Sequence, residues 1–385
     1  MQRVIIGFTG AFGSGTSYLA KNFFEKMGYT TLSLSVILRE EYRIKNGKSA
    51  DTRNDLQVFG NTLRKCNPQY LAEKIDEIIS KDHTKNYVIE GIRNPSEIYY
   101  FRNKYTDFIL IGVHADYDVR WNRVKDIYKN SKEAFDKDES KDKGVLEPNY
   151  GQRIRDCFFE SDLIIMNNKD FLCNEDDDNY NNMKSKIEAY IKALHDPQKS
   201  NPTSQETLMA AAYAIGRRSK CYKRKVGAII VDKHNRIISS GFNGVPIGLQ
   251  ECKSKYGKCY RDIKRKEVDE KICQNLNVDI ENSYKIAESN VKLLELCRSL
   301  HAEESAILNL VDRGTDLNET TMYVTKFPCN LCANKIVQLG IKNVIYFEPY
   351  PVQEEKEIFK EANVIATPFE GVTFRAFFKF YQYEP

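Results

Sequence analysis

Residues 327–336 read FPCNLCANKI, and 28 residues before Cys329 stands His301, within SLHAEESAI at 299–307. Cysteines three apart in the first turn of a helix point the same way, and a helix amino terminus favours the thiolate form that binds metal. His301, Cys329 and Cys332 therefore make a three-ligand zinc set that leaves the fourth tetrahedral position to water, the pattern of a catalytic site. Glu303, two residues after His301 at a helix start, can face that water as a proton carrier without binding the metal. The competing reading is a structural zinc with Glu303 on the surface, although structural sites normally close with a fourth Cys or His.

Working outward, the PCxxC helix follows the strand pattern TMYV, and NVIYFEPY predicts another strand after it. Upstream, VGAIIVD and RIISSGFNG are β-branched runs separated by DKHN, as in a hairpin. ETLMAAAYAIGRRS before them and LLELCRSLHAEESAILNLVDRG after them predict helices, with Cys297 one helical turn before His301. The lysine-rich stretch from Gly248 to about Asn290 reads as an insertion.

The first half has another pattern. From Val4 to about Met166, the apolar runs RVIIGF, YVIEGI, FILIGV and DLIIMN alternate with amphipathic stretches such as SYLAKNFFEKM, predicting a parallel sheet with crossover helices. The loop Gly10, Gly13, Ser14, Gly15, Thr16 and Ser17 fits G-x-x-x-x-G-K-[ST] except that Thr16 replaces the lysine. Backbone N–H groups can still cradle a phosphate there, with a nucleoside triphosphate and Mg2+ as the expected ligand. Without the cation that bridges the β and γ phosphates, binding without phosphoryl transfer is expected. The charged segment Lys129–Glu147 reads as a mobile surface stretch, and an acidic run begins at Asn174. DPQKSNPTS, at 196–204, holds two prolines and no bulky apolar residue, which sets the expected domains at 1–197 and 205–385 with a linker at 198–204.

A chain of 385 residues suits two domains. Its longest strongly apolar stretch, Leu208–Gly216, is nine residues against the roughly 20 of a spanning helix, and the amino terminus lacks a signal-peptide core. A cytoplasmic, non-membrane protein is expected. With 58 basic and 54 acidic residues the net charge is +4, which favours a small ligand over a nucleic-acid polymer. Seven of ten cysteines lie between Cys221 and Cys332. Among them Cys252, Cys259, Cys273 and Cys297 either hold a second zinc, replacing a core the insertion lacks, or are free thiols.

SKCYKRKVGAIIVD, SGFNGVPIG, LHAEESAI, TMYVTKFPCNLCA and LGIKNVIYFEPY, in that order, resemble the deoxycytidylate deaminase family from Glu206 to about Val364. The H-x-E and P-C-x-x-C pair also matches the signature of zinc-dependent nucleobase deaminases. The resemblance implies a three-layer α/β/α cytidine deaminase-like domain with a mixed central sheet. It implies hydrolytic deamination of a deoxycytidine nucleotide, with zinc on His301, Cys329 and Cys332 and proton transfer by Glu303. It also implies substrate contacts from Asn243, Ala302 and Pro328, homo-oligomeric assembly, and a response to dCTP and dTTP. As a bland alternative, Asn243 is a turn residue. Arg224, within the basic run Lys220–Lys225, suits a substrate phosphate, or else belongs to a solvated loop.

In the first half, YVIEGIRNPSEIYYFRN resembles nucleoside monophosphate kinases, with Glu90 and Arg93 at positions that face Mg2+ or phosphate. WNRVKDIY resembles a kinase lid carrying Arg120 and Arg123. The alternatives are a buried strand-end carboxylate and ordinary helix-surface arginines. The expected fold is thus α/β throughout: a P-loop NTPase or nucleoside monophosphate kinase-like parallel-sheet domain, then the deaminase-like domain. That combination resembles the AvcD/DcdV-type bacterial anti-phage deoxycytidine nucleotide deaminases, which implies depletion of dCTP and dCMP and restraint by a small RNA or peptide partner. Two other functional classes compete, a polynucleotide (single-stranded DNA or RNA) deaminase and a non-catalytic nucleotide sensor with structural zinc.

Overall fold

The computed structural model describes residues 3–143, 148–169, 177–276, 297–310, 317, 319–347 and 353–382. The end of the charged segment, Cys173, the start of the acidic run and the later part of the insertion lie outside them. The chain forms two compact units, 1–206 with 370–385, and 207–369. Residues 370–385, which the sequence reading places in the second domain, belong to the first unit. No helix among the described residues is long and apolar enough to cross a membrane.

The first unit is built on five parallel strands, β1 (Ile5–Thr9), β2 (Thr30–Ser33), β3 (Tyr87–Ile92), β4 (Phe108–His114) and β5 (Leu163–Met166). Their order is β5-β4-β1-β3-β2. β1 and β4 are buried at every residue, so both sheet faces must be covered. Alternate residues of β1 enter separate cores, Ile6 and Phe8 on one face and Ile5 on the other. β1 pairs with both β3 and β4, so the sheet changes winding direction there and opens a crevice at the strands' carboxyl ends. The glycine loop leaves β1 at that crevice, completing a P-loop kinase-like arrangement. The helix after it is α-helical only over Thr16–Leu19; a π turn at Ala20–Phe24 carries Phe23 and Phe24 together into the core.

The segment expected to be mobile instead forms helix Lys132–Lys143. Phe135 is 1% exposed beneath the rings of Tyr117, Trp121 and Tyr128, and buried Glu139 takes Arg120. Composition averages hide two such anchors.

The returning tail adds strand Gly371–Val372, antiparallel to β5. Phe380 of helix Phe377–Phe380 is the fully buried aromatic there. Glu206 holds the tail. It is 2% exposed, and its carboxylate accepts the Val372 N–H at 2.7 Å, the Tyr381 hydroxyl at 2.9 Å, and both N–H and Oγ1 of Thr203. Thr203 and Glu206 also form a reciprocal capping box at the start of helix Ser204–Gly216.

The second unit carries a mixed sheet, β6 (Gly227–Val231), β7 (Ile237–Phe242), β8 (Thr321–Val324), β9 (Asn343–Tyr346) and β10 (Ile365–Pro368), in the order β10-β9-β8-β6-β7. β6 and β7 form the expected hairpin, whose turn Asp232 closes by accepting the N–H groups of His234 and Arg236. β6 is antiparallel to β8, while β8, β9 and β10 run parallel. Helices Ala302–Leu308, Asn330–Gln338 and Gln353–Glu361 cover one face, with Ala302, Ala306, Ile336 and Phe359 in its core. Helix Ser204–Gly216 meets β6 so closely that a Cβ on Gly227 would stand 1.9 Å from the Ala212 carbonyl oxygen.

Replacing Glu206 by Ala strands the buried Val372 N–H and the half-buried Tyr381 hydroxyl at once, each costing about 1–3 kcal/mol, and removes the cap partner of Thr203. The expected outcome is a loss of about 3 kcal/mol or more in urea unfolding of the first unit, with faster proteolysis of the tail. Glu206→Gln, which keeps an acceptor oxygen, should lose less.

Candidate active site

Two helix amino termini build the site. His301 is the N-cap of helix Ala302–Leu308, and Cys329 is the N-cap of helix Asn330–Gln338, with Cys332 on its first turn. The helix expected to run through Cys297 begins only at Ala302. Leu300 is instead held extended by a pair of backbone bonds with Gly244, of 2.8 and 3.3 Å, which seats His301 beside the end of β7. Gly241 of β7 lies directly against that helix: a Cβ there would come within 2.2 Å of the Ala306 nitrogen. Ser239 reinforces the contact by donating to the Ala306 carbonyl at 2.6 Å.

His301 Nδ1 lies 3.3 Å from Cys329 Sγ and 3.5 Å from Cys332 Sγ. A regular tetrahedral zinc with bonds of about 2.0–2.1 Å to nitrogen and about 2.3 Å to sulfur has a nitrogen–sulfur edge of about 3.5 Å. The donor set therefore fits zinc, and among the described residues it is the one cluster of three such ligand atoms within 4.8 Å of one another. The hydrogen bond from Cys332, with that of His301, pulls the Cys329 thiol down to about 4. The bond to Cys329 and then burial push Cys332 up, and the bond to Cys329 raises His301. A bound metal would take the thiolate forms of both cysteines and the neutral imidazole. Glu303 is 4% exposed, and burial pushes its carboxyl up to about 7. Such a group exchanges protons near neutral pH, as general acid–base work requires. Its neighbour Glu304 pairs with Lys335 of the second helix, tying the two ligand-bearing helices together.

Residues 202–348 match the family model for the cytidine and deoxycytidylate deaminase zinc-binding region. The human deoxycytidylate deaminase is 33% identical over 176 residues, 45% of this chain and 78% of its own. The chain belongs to the deoxycytidylate deaminase family. The deoxycytidylate deaminase of Schizosaccharomyces pombe is 28% identical over 354 residues, 90% of either chain, so that alignment extends into the first unit. Among solved structures, the dCMP deaminase of cyanophage S-TIM5 in complex with dCMP and dUMP covers 44% of this chain and 99% of its own, at 22% identity and a TM-score of 0.31.

Around this deaminase centre, Ala302 and Pro328 are buried next to the ligands in sequence. Asn243 is nearly buried, with Oδ1 accepting the Val226 N–H at 2.8 Å and Nδ2 donating to the Arg224 carbonyl at 3.0 Å. It therefore shapes the 219–226 loop and retains one donor and one lone pair for a ligand. Arg224 has its pKa lowered by burial and by the guanidinium of Arg261, a residue the sequence reading did not single out. Cys252, Cys259 and Cys297 line one small cavity together with Cys221, whereas Cys273 does not. Nothing in the spacing marks Cys221 as their neighbour, because the fold brings it there.

In the first unit, a cavity of about 710 Å³ is lined by the glycine loop except Ser14, and by Glu90 and Arg93. Ser14 is turned inward and buried. Arg120 and Arg123 do not line it. Arg120 donates to the carbonyls of Ala115 and Phe12 and pairs with Glu139, while Arg123 donates to the carbonyls of Asn167 and Lys169. Arg120 thereby braces the glycine loop, and Arg123 the segment 167–169. Arg39 and Arg64, which line the cavity, were not anticipated. The only signal was the polar stripe Gln57, Gly60, Arg64 at helical spacing.

Cys329→Ser or Cys332→Ser should lower zinc by about one equivalent per chain, read by elemental analysis of the purified protein. Glu303→Gln should keep that zinc.

Proposed function

We propose that the chain hydrolytically deaminates dCMP to dUMP using zinc held by His301, Cys329 and Cys332. The observation that carries this is the buried Glu303 beside a three-donor zinc set. Zinc there supplies a Lewis acid that makes water nucleophilic near neutral pH. Glu303 takes one proton from the attacking water and passes it to ring N3, then takes the remaining hydroxyl proton of the added water and passes it to the departing amine, which leaves as ammonia. Asn243 offers its remaining amide valences to the sugar. Arg224 with Arg261 receives the phosphate, whose charge relieves the repulsion between the two guanidinium groups.

The monophosphate is preferred here because the S. pombe relative, named for deoxycytidylate, aligns across both units. The P-loop-plus-deaminase layout therefore does not by itself point to dCTP depletion or an anti-phage role. Homo-oligomeric assembly and a response to dCTP and dTTP form part of the same proposal. In the first unit, the glycine loop binds a nucleotide phosphate without transferring it, since Thr16 supplies no cation. The four cysteines that line one small cavity, Cys221, Cys252, Cys259 and Cys297, form the second zinc site of this proposal, with Cys221 in the place given earlier to Cys273; no three of their sulfurs stand within 4.8 Å of one another, so the metal has to draw them together.

Purified protein incubated with dCMP, dCTP, cytidine and single-stranded DNA, with and without dTTP, tests the substrate. Ammonia release is expected from dCMP above the others, and deamination of DNA alone would sink the proposal. Glu303→Gln should lower kcat by about 10²–10⁴. For the second metal, elemental analysis should find two zinc ions per chain and one in Cys252→Ser with Cys297→Ser; a single zinc in the unaltered protein would rule the site out.

A further inference from the structure

The stretch that the sequence marks as an insertion is tied to the loop that carries Arg224. Its helices Cys252–Tyr256 and Tyr260–Leu276 reach the middle of that loop from outside: the Tyr222 hydroxyl donates to the Gly257 carbonyl at 2.9 Å, and Lys223 Nζ pairs with Asp262 at 2.7 Å. The ends of the loop are held from within instead. Ser219, 1% exposed, donates to the Asn243 carbonyl at 2.6 Å and accepts the Cys221 N–H at 3.2 Å, while Asn243 holds the Val226 N–H and the Arg224 carbonyl. The placing of residues 222 and 223, directly before Arg224, is thus left to the insertion.

The same insertion brings a like charge to this point. Arg261 lines a small cavity together with Lys220, Cys221 and Tyr222, and burial and then the Arg261 guanidinium lower the Arg224 pKa. Two cations separate unless their neighbours hold them, and here the neighbours do: the attractive pair Lys223–Asp262 adjoins the repulsive pair Arg224–Arg261 on both segments. Arg298, three residues before His301, secures the other side. Its guanidinium carbon stands 5.2 Å from the Tyr256 ring centroid and 5.7 Å from that of Tyr260, one ring from each helix, and it donates to the Tyr256 hydroxyl. Arg298 therefore joins both helices to the segment whose Leu300 pairs with Gly244 and seats His301.

We propose that Arg298 and Asp262 are positioning residues for the substrate phosphate: they hold helix Tyr260–Leu276 so that Arg261 stands against Arg224, and a phosphate between the two guanidinium groups is what relieves their repulsion. It rests on the reading of the chain as a dCMP deaminase whose phosphate meets Arg224 and Arg261, and it adds that the insertion sets how tightly that phosphate is held. Neither residue touches the reacting atoms, so both act on substrate affinity and not on the chemical step.

Steady-state kinetics of the full chain test this. Arg298→Met and Asp262→Asn should each raise KM for dCMP about fivefold or more, with kcat within about twofold and zinc content unchanged. Arg298→Lys, which keeps a cation over the rings, should recover most of the affinity. Turnover of 2′-deoxycytidine, which has no phosphate, should stay as in the unaltered chain. The sign for Asp262→Asn is decisive, because removing a negative charge near a phosphate site lowers KM if the carboxylate acts only through its charge. A lowered or unchanged KM in that variant would overturn the proposal, as would an equal loss on dCMP and deoxycytidine or a fall in kcat alone. Should Arg298→Met fail to fold, Asp262→Asn on the half-exposed pair gives the same reading. An unaltered chain that releases no ammonia from dCMP would instead overturn the deaminase reading on which this rests.

Discussion

Three donor atoms from two helix ends must meet within about 3.5 Å, and the second unit is arranged around that demand. Metal ligation fixes donor type and distance but supplies nothing to bring the donors together. The sheet does that work. β6 and β8 pair side by side, so the segments that follow β7 and β8 emerge at neighbouring positions. The backbone bonds between Gly244 and Leu300 then fix where His301 enters its helix. Gly241 is required because the helix lies against β7 at a distance that excludes a Cβ. The same burial that seats the ligands raises Glu303, so packing and proton affinity have one cause.

The first unit solves a different problem, closing a sheet around a long excursion of the chain. The second unit leaves after Glu206 and returns at Glu370, and one carboxylate marks both points. Glu206 caps its own helix through Thr203 and accepts the Val372 N–H and Tyr381 hydroxyl from residues more than 160 positions away. A buried carboxylate with four donors is among the better satisfied groups of the chain, and removing any one partner affects the others.

How much of this was legible depended on whether a role was set by local chemistry or by tertiary contact. His301, Glu303, Cys329 and Cys332 were readable because metal ligation demands fixed residue types at fixed spacing. The hairpin at Asp232 and the parallel first sheet were readable because alternation and turn chemistry are local. Cys221 and Arg64 were not, since what matters about them is which distant side chain stands beside them. The helix Lys132–Lys143 was missed for a related reason: its charged composition suggested mobility, while Phe135, Asp136, Asp138 and Glu139 anchor it. Even the boundary of the first domain was partly written in the sequence, in the capping box Thr203-Ser-Gln-Glu206. What no local pattern announced was that Glu206 also holds the returning tail.

The altered glycine loop makes better sense in that light. A phosphate-transferring loop needs a mobile cation that can follow charge as it moves between phosphates. In this unit the cations near the loop are spent on holding it still. Arg120 reaches the Phe12 carbonyl, Asn167 donates to the Ser14 carbonyl, and Arg53 lies flat on the Phe12 ring. A loop braced on three sides, with threonine in the lysine position, keeps its backbone dipoles fixed and has no lysine side chain of its own to follow a moving charge. The arginines that remain toward the cavity stand on its other walls, Arg64 among them beside Glu97. The first unit keeps rigid backbone donors at a cavity, and the second keeps a buried carboxyl, Glu303, beside the three-donor set.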